Sequence, residues 1–180
     1  MRVIAITGMP GSGKGEIVNI AKSVGYPVVR MGDAVWEKVR ELGLELNDTN
    51  VGKIATEERE KNGRNIWAVR TAEKIKNLDT EVVFIDGVRS MYEVETFKKE
   101  FGEDFLIISV LANRKTRLMR LLKRGREDDV YDEESFAKRD EREKSWGIEE
   151  VINEANLSII NEIPLEDFRK YISDLLKRIV

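Results

Sequence analysis

Short apolar runs alternate along this chain with stretches of helical spacing, each separated from the next by glycine or polar residues. The first run, at positions 3–7, is rich in β-branched residues (Val3, Ile4, Ile6, Thr7) and predicts a buried strand. It breaks at Gly8, passes through Pro10, Gly11 and Gly13, and after Lys14 becomes a helix with Ile17, Val18, Ile20, Ala21 and Val24 on one side and Gly25 as its stop. Residues 27–31 predict a second short strand. Asp33 then caps a helix with apolar positions Val35, Trp36, Val39 and Leu42, ending at Gly43. A polar loop over 45–50 leads into two charged helical segments, 51–62 and 65–78, parted by Gly63.

The third run, Val82, Val83, Phe84 and Ile85 ending on Asp86, is apolar throughout, as a central parallel strand covered on both faces requires. Ser90 and Glu93 form a capping box that opens a helix carrying Val94, Phe97 and Phe101, stopped by Gly102. A fourth strand is predicted over 105–111, a basic helix over 114–124 stopped by Gly125, and a highly charged helix over 132–146. A fifth strand spans 157–161, and the last helix shows a core-facing stripe of Leu165, Phe168, Ile172, Leu175, Leu176 and Ile179.

Strands alternating with helices predict an α/β fold in three layers: a five-stranded parallel sheet with helices on both faces, in one domain spanning residues 1–180. Ligands of such sheets sit at the carboxyl ends of the strands, where Gly8, Asp33, Asp86 and Asn161 all fall. Composition narrows the chemistry. There is no Cys and no His, which excludes disulfides, Cys/His zinc sites, thiol nucleophiles and imidazole acid–base catalysis. A net charge of −3 argues against a general nucleic-acid footprint. No apolar run is long enough to span a bilayer, so a cytoplasmic protein with no membrane partner is expected.

Strand, glycine loop, lysine and helix together make a phosphate-binding loop of Gly8, Met9, Pro10, Gly11, Ser12, Gly13, Lys14 and Gly15. The glycines allow several N–H groups to converge on one anion, the helix N-terminus adds partial positive charge, and Lys14 supplies an ammonium for the β- and γ-phosphates of ATP. Where the general motif has a Ser or Thr hydroxyl for Mg²⁺, this chain has Gly15, then Glu16, which reads as a first-turn acid favoured by the helix dipole in preference to a catalytic base. Asp86 at the tip of the central strand is then the carboxylate to hold Mg²⁺. Seven of the thirteen residues from Arg114 to Arg126 are basic, which reads as a solvated basic face, an RNA patch or a set of phosphate clamps.

The loop GMPGSGKG resembles that of adenylate kinases and their relatives, where Lys-Gly replaces Lys-Ser. The resemblance runs in order through nearly the whole chain and is similar in overall pattern to small archaeal adenylate-kinase-related proteins, with a last strand (155–161) like that of nucleotide and dephospho-coenzyme-A kinases. It implies the P-loop NTPase fold, an acceptor-binding insertion at 33–78 and a short lid region at 120–146. Asp86-Gly87-Val88-Arg89 resembles, one residue shorter, the family's Asp-Gly-Phe-Pro-Arg, which makes Arg89 an acceptor clamp. Met31-Gly32-Asp33 resembles the family's Thr-Gly-Asp, which places Asp33 beside the acceptor as well as at a helix cap. The family has an arginine three residues after that Asp; here Trp36 stands there, read as core packing beside Val35 and Val39 in preference to base stacking, and Arg30, Arg40, Arg64 or Arg70 is left to replace it unless the acceptor is not AMP.

The lid resemblance makes Arg120, Arg124, Arg126, Arg139 and Arg142 phosphate-facing, with Asp128 and Asp129 holding them, and puts the purine near residues 161–164, with Asn161 in contact. The expected catalytic set is Lys14, Asp86, Arg124, Arg126 and Arg139. The expected activity is ATP-dependent phosphotransfer to a small phosphorylated acceptor such as a nucleoside monophosphate. An ATP-driven switch or assembly factor on the same fold, or a dephospho-coenzyme-A kinase-like activity, is the competing expectation.

Overall fold

A computed structural model of the chain describes residues 1–124 and 132–180. Five parallel strands form one sheet: β1 (Arg2–Thr7), β2 (Val28–Arg30), β3 (Val82–Asp86), β4 (Phe105–Leu111) and β5 (Leu157–Ile160), in the order β2-β3-β1-β4-β5. In the register of the central pairs Ile6 lies beside both Asp86 and Ile108, so the chain leaves β1 and β3 side by side at one edge.

The period of two along each strand sorts side chains into two cores. Val3 and Ala5 of β1, Val83 and Ile85 of β3 and Ile107 of β4 pack with α2 (Met31–Glu41), α3 (Asp48–Asn62), α4 (Ile66–Lys76), α5 (Met91–Phe101) and the short α8 (Ile148–Asn153). Ile4, Ile6, Phe84 and Ile108 point the other way, onto α1 (Lys14–Ser23) and α9 (Leu165–Ile179), where Phe168, Ile172 and Leu176 are buried. The helices α6 (Arg114–Arg124) and α7 (Glu133–Ser145) share a small cluster of Leu121 and Phe136 with Leu118.

The predicted five-stranded parallel sheet with helices on both faces is therefore the observed one. The Ser90–Glu93 capping box forms, with both reciprocal bonds present. Three local expectations are corrected. Asp33 does not cap α2: the helix begins two residues earlier, with extended Arg30 as its N-cap and Asp33 inside the first turn. The polar stretch 45–50 is only partly loop, because Asn47 accepts the Asn50 amide at 2.9 Å and starts α3 at Asp48. The six-residue α8 follows Gly147 and was not expected. Among the described residues no helix is long and apolar enough to cross a membrane.

Candidate functional site

The turn from β1 to α1 is shaped by glycine. Gly13 holds φ 104°, and a Cβ there would lie 2.1 Å from the Asn161 side-chain amide; a Cβ on Gly11 would lie 2.5 Å from the Arg117 carbonyl. Side chains are thus excluded by neighbouring strands and helices as well as by the backbone. Two arginines of α6 donate to the outward carbonyls of the turn, Arg117 to Pro10 at 3.0 Å and Arg120 to Ser12 at 3.1 Å. Arg120 also donates to the Asn161 carbonyl at 3.0 Å, and the Asn161 amide to the Ser12 carbonyl at 2.9 Å. Arg117 is itself fixed by a buried fork to Asp140 of α7 at 2.8 and 2.6 Å.

Lys14 folds back over this turn and donates to the carbonyls of Gly8 and Met9. Its ammonium is pulled down to a pKa of about 8, chiefly by burial, with Asp86 pushing the other way. Glu16 is bound by Arg169 of α9 at 2.8 Å, which suits a first-turn acid and not a base.

A single cavity of about 560 Å³ opens from this turn across the carboxyl ends of the strands. Lys14, Arg120 and Arg124 line it together with Arg30, Arg59, Arg89, Arg139 and Arg142: eight cations against the four carboxylates of Glu16, Asp48, Asp86 and Glu143. All three tryptophans of the chain line it too, each beneath a guanidinium: Arg30 over Trp36 at 5.4 Å, Arg70 over Trp67 at 4.9 Å and Arg59 over Trp146 at 4.4 Å. Trp36 is only half-buried and sits between Arg30 and Arg40, so its expected place in the core is not the observed one.

Charged pairs set the wall. Arg30 reaches Asp86 at 3.4 Å and Asp33 at 3.2 Å; Asp33 is not itself a lining residue. Of the four arginines left open for the acceptor side, only Arg30 lines the cavity; Arg64 bonds Tyr92 and Arg70 bonds Glu58. Arg89 donates to Glu143 at 2.8 Å and to the Gly87 carbonyl at 2.7 Å. Burial alone would push the Glu143 carboxyl up, but Arg89, Arg139, Lys14 and Arg142 around it hold it below the usual carboxylate range.

Among the lining residues that escaped the sequence reading are Arg59, Asp48, Glu143, Trp67 and Trp146. Arg59 is held by Glu93 at 2.9 Å, and Arg142 forks onto Asp48 at 2.9 and 2.7 Å. Asn161 and Ile163, from the stretch where the purine was expected, line the cavity, as do Leu165, Arg120 and Arg124. Arg126, Asp128 and Asp129 lie outside the described residues.

Residues 7–137 match the AAA domain family. A UPF0200 protein of Methanosarcina mazei is 46% identical over 98% of this chain and 94% of its own length. The chain belongs to the UPF0200 family. Among solved structures, this UPF0200 fold is similar to a gluconokinase from Sinorhizobium meliloti (TM-score 0.62, 17% identity, 98% of this chain and 92% of that one). It is also similar to a shikimate kinase from Acinetobacter baumannii in complex with shikimate (TM-score 0.60, 15% identity, 99% and 94%). At those identities the likeness is one of fold: the UPF0200 chain is a P-loop NTPase domain of kinase-like architecture.

Proposed function

We propose that this UPF0200 chain is an ATP-dependent phosphotransferase, moving the γ-phosphate of ATP to a small phosphorylated acceptor such as a nucleoside monophosphate. The observation that carries the reading is the excess of eight cations over four carboxylates around one cavity that begins at a glycine turn. Such an excess suits two polyanionic ligands held together, and phosphoryl transfer is catalysed by that kind of positioning and charge neutralisation.

The loop from Gly8 to Gly15 and Lys14 bind the triphosphate tail, with backbone left bare by Gly11 and Gly13 where a Cβ would collide. Arg120, Arg124, Arg126 and Arg139 neutralise the transferring oxygens. Asp33, through Arg30, and Arg89 serve the acceptor, which the helices of residues 33–78 receive. The base of the nucleotide lies against Asn161, Ile163 and Leu165. Asp86, which lines the cavity with Lys14, would hold a divalent cation together with water and nucleotide oxygens, Gly15 offering no hydroxyl. Bound Mg²⁺ would supply charge neutralisation at the β- and γ-phosphates.

An acceptor screen by coupled ADP release tests this: ADP output should rise with one monophosphate and not with others. ATP turnover indifferent to every acceptor overturns it. The competing reading, an ATP-hydrolysing switch or assembly factor, is favoured by Gly15 and by the engagement of Asp86 with Arg30. A bulkier acceptor, as in a dephospho-coenzyme-A kinase-like activity, would use the apolar lining of Met31, Val35, Val51 and Ala55.

A further inference from the structure

The Asp48 carboxylate is gripped by two arginines of one helix. It receives a fork from Arg142 at 2.9 and 2.7 Å and stands 3.5 Å from the Arg139 guanidinium, so one acid of α3 takes up both arginines that α7 sends into the cavity. Planar guanidinium forks bind a phosphate oxyanion with the same geometry they use for a carboxylate. We infer that Asp48 is an internal stand-in anion, which occupies the Arg139–Arg142 subsite until a phosphoryl oxyanion of the bound ligands displaces it.

Three further observations support displacement over a permanent staple. The Arg142 Nε–H is buried without a hydrogen-bond partner, so Asp48 leaves part of the guanidinium's donor capacity unused. The Arg142 guanidinium lies flat on α3, where a Cβ on Gly52 would stand 2.5 Å from it, so its position is set by backbone contact as well as by Asp48. Asp48 and Arg142 also line a second, more open groove of about 660 Å³ between α3 and α7, on the far side of the same pair. A displaced carboxylate therefore has a hydrated space to enter, and its charge need not be buried unpaired. Glu143 has no such exit. It is 3% exposed and lies on α7 itself, pairing with Arg89.

The inference rests on the phosphotransfer reading and deepens it. A subsite that is occupied internally for nine-tenths of the time loses tenfold in apparent affinity, and removing the occupant restores it. Asp48→Asn should therefore bind phosphoryl ligands about tenfold more tightly than the wild type, measured by isothermal titration on the whole chain; Asp48→Ser is the second variant should the first fail to fold. Two arms separate the source of the oxyanion. A gain for ATP with none for ADP assigns the subsite to the transferring group, and a gain for inorganic phosphate titrated into the ADP complex assigns it to the acceptor. If wild type binds neither nucleotide, the phosphotransfer reading fails, and inorganic phosphate titrated into the free proteins still decides this one. Affinity unchanged or weakened for all three ligands in a folded variant overturns the inference and leaves Asp48 as a structural tie.

Discussion

Gly13 and Asn161 meet so closely that a single methyl group would part them: a Cβ on Gly13 would stand 2.1 Å from the Asn161 side-chain amide. That amide donates to the Ser12 carbonyl, so the last strand and the glycine turn are tied at the point where the turn must stay narrow. Gly13→Ala should cost about 2 kcal/mol of stability, from a strained positive φ and the displaced amide. It should also abolish stabilisation by ATP in thermal melts. A variant that melts lower and keeps its full ATP-induced shift would separate the turn from nucleotide binding.

The lowered pKa of Lys14 gives the proposed nucleotide binding a pH dependence to test. Burial lowers its pKa to about 8 from an unfolded value of 10.5. The unfolded chain then binds more protons between those values, so stability of the free protein should rise as pH goes from about 8 towards 10.5. A triphosphate beside the ammonium favours the charged form, and binding above pH 8 must then take up a proton. ATP affinity should fall as pH rises through 8 to 9.5, with proton uptake seen as a dependence of binding enthalpy on buffer. Lys14→Ala should keep the fold, lose ATP-dependent stabilisation and show no such uptake.

How far the chain discloses this arrangement depends on the range of the interaction. The β1 run, the all-apolar run ending on Asp86 and the Ser90–Glu93 box are local patterns, and the strands and helix they predict form where expected. Asp33 failed as a cap because Arg30, already extended at the end of β2, takes the cap position, and an acid in the first turn looks the same in sequence as one before it. The α8 helix has six residues, too few for a periodic signal. Arg59, Asp48 and Glu143 sit in helices so rich in charge that a buried pair and a solvated face spell alike. Arg142 meets Asp48 across 94 residues, and only the folded chain brings them together. The glycine-turn end of the cavity was legible because one loop writes it. The opposite wall is assembled from α2, α3, α7 and the turn after β3, and no single stretch encodes it.

Glu143 carries stability that acid should remove. Its carboxyl is buried against Arg89 at 2.8 Å, and its folded-state pKa lies below the unfolded 4.5. The stability it contributes is present above pH 4.5 and is lost as pH falls through the lower folded value. Glu143→Gln removes the carboxylate hydrogen-bonded to the half-buried Arg89 side chain and should cost about 3 kcal/mol at pH 7. Urea unfolding at pH 7 and in steps below pH 4.5 checks both parts: the deficit of the variant should shrink as the wild type loses its ion pair in acid.

Ser12 offers a test with the opposite sign. Its hydroxyl is fully buried in the glycine turn and has no hydrogen-bond partner. A buried hydroxyl without a partner is desolvated with no return, so Ser12→Ala should raise the stability of the free protein by about 1 kcal/mol. If the oxygen is used, Ser12→Ala should weaken ATP binding several-fold while raising the melting temperature of the free protein. If small size alone matters, alanine should match the wild type in ATP affinity and exceed it in stability. A variant that melts lower than wild type would mean the hydroxyl is satisfied in solution.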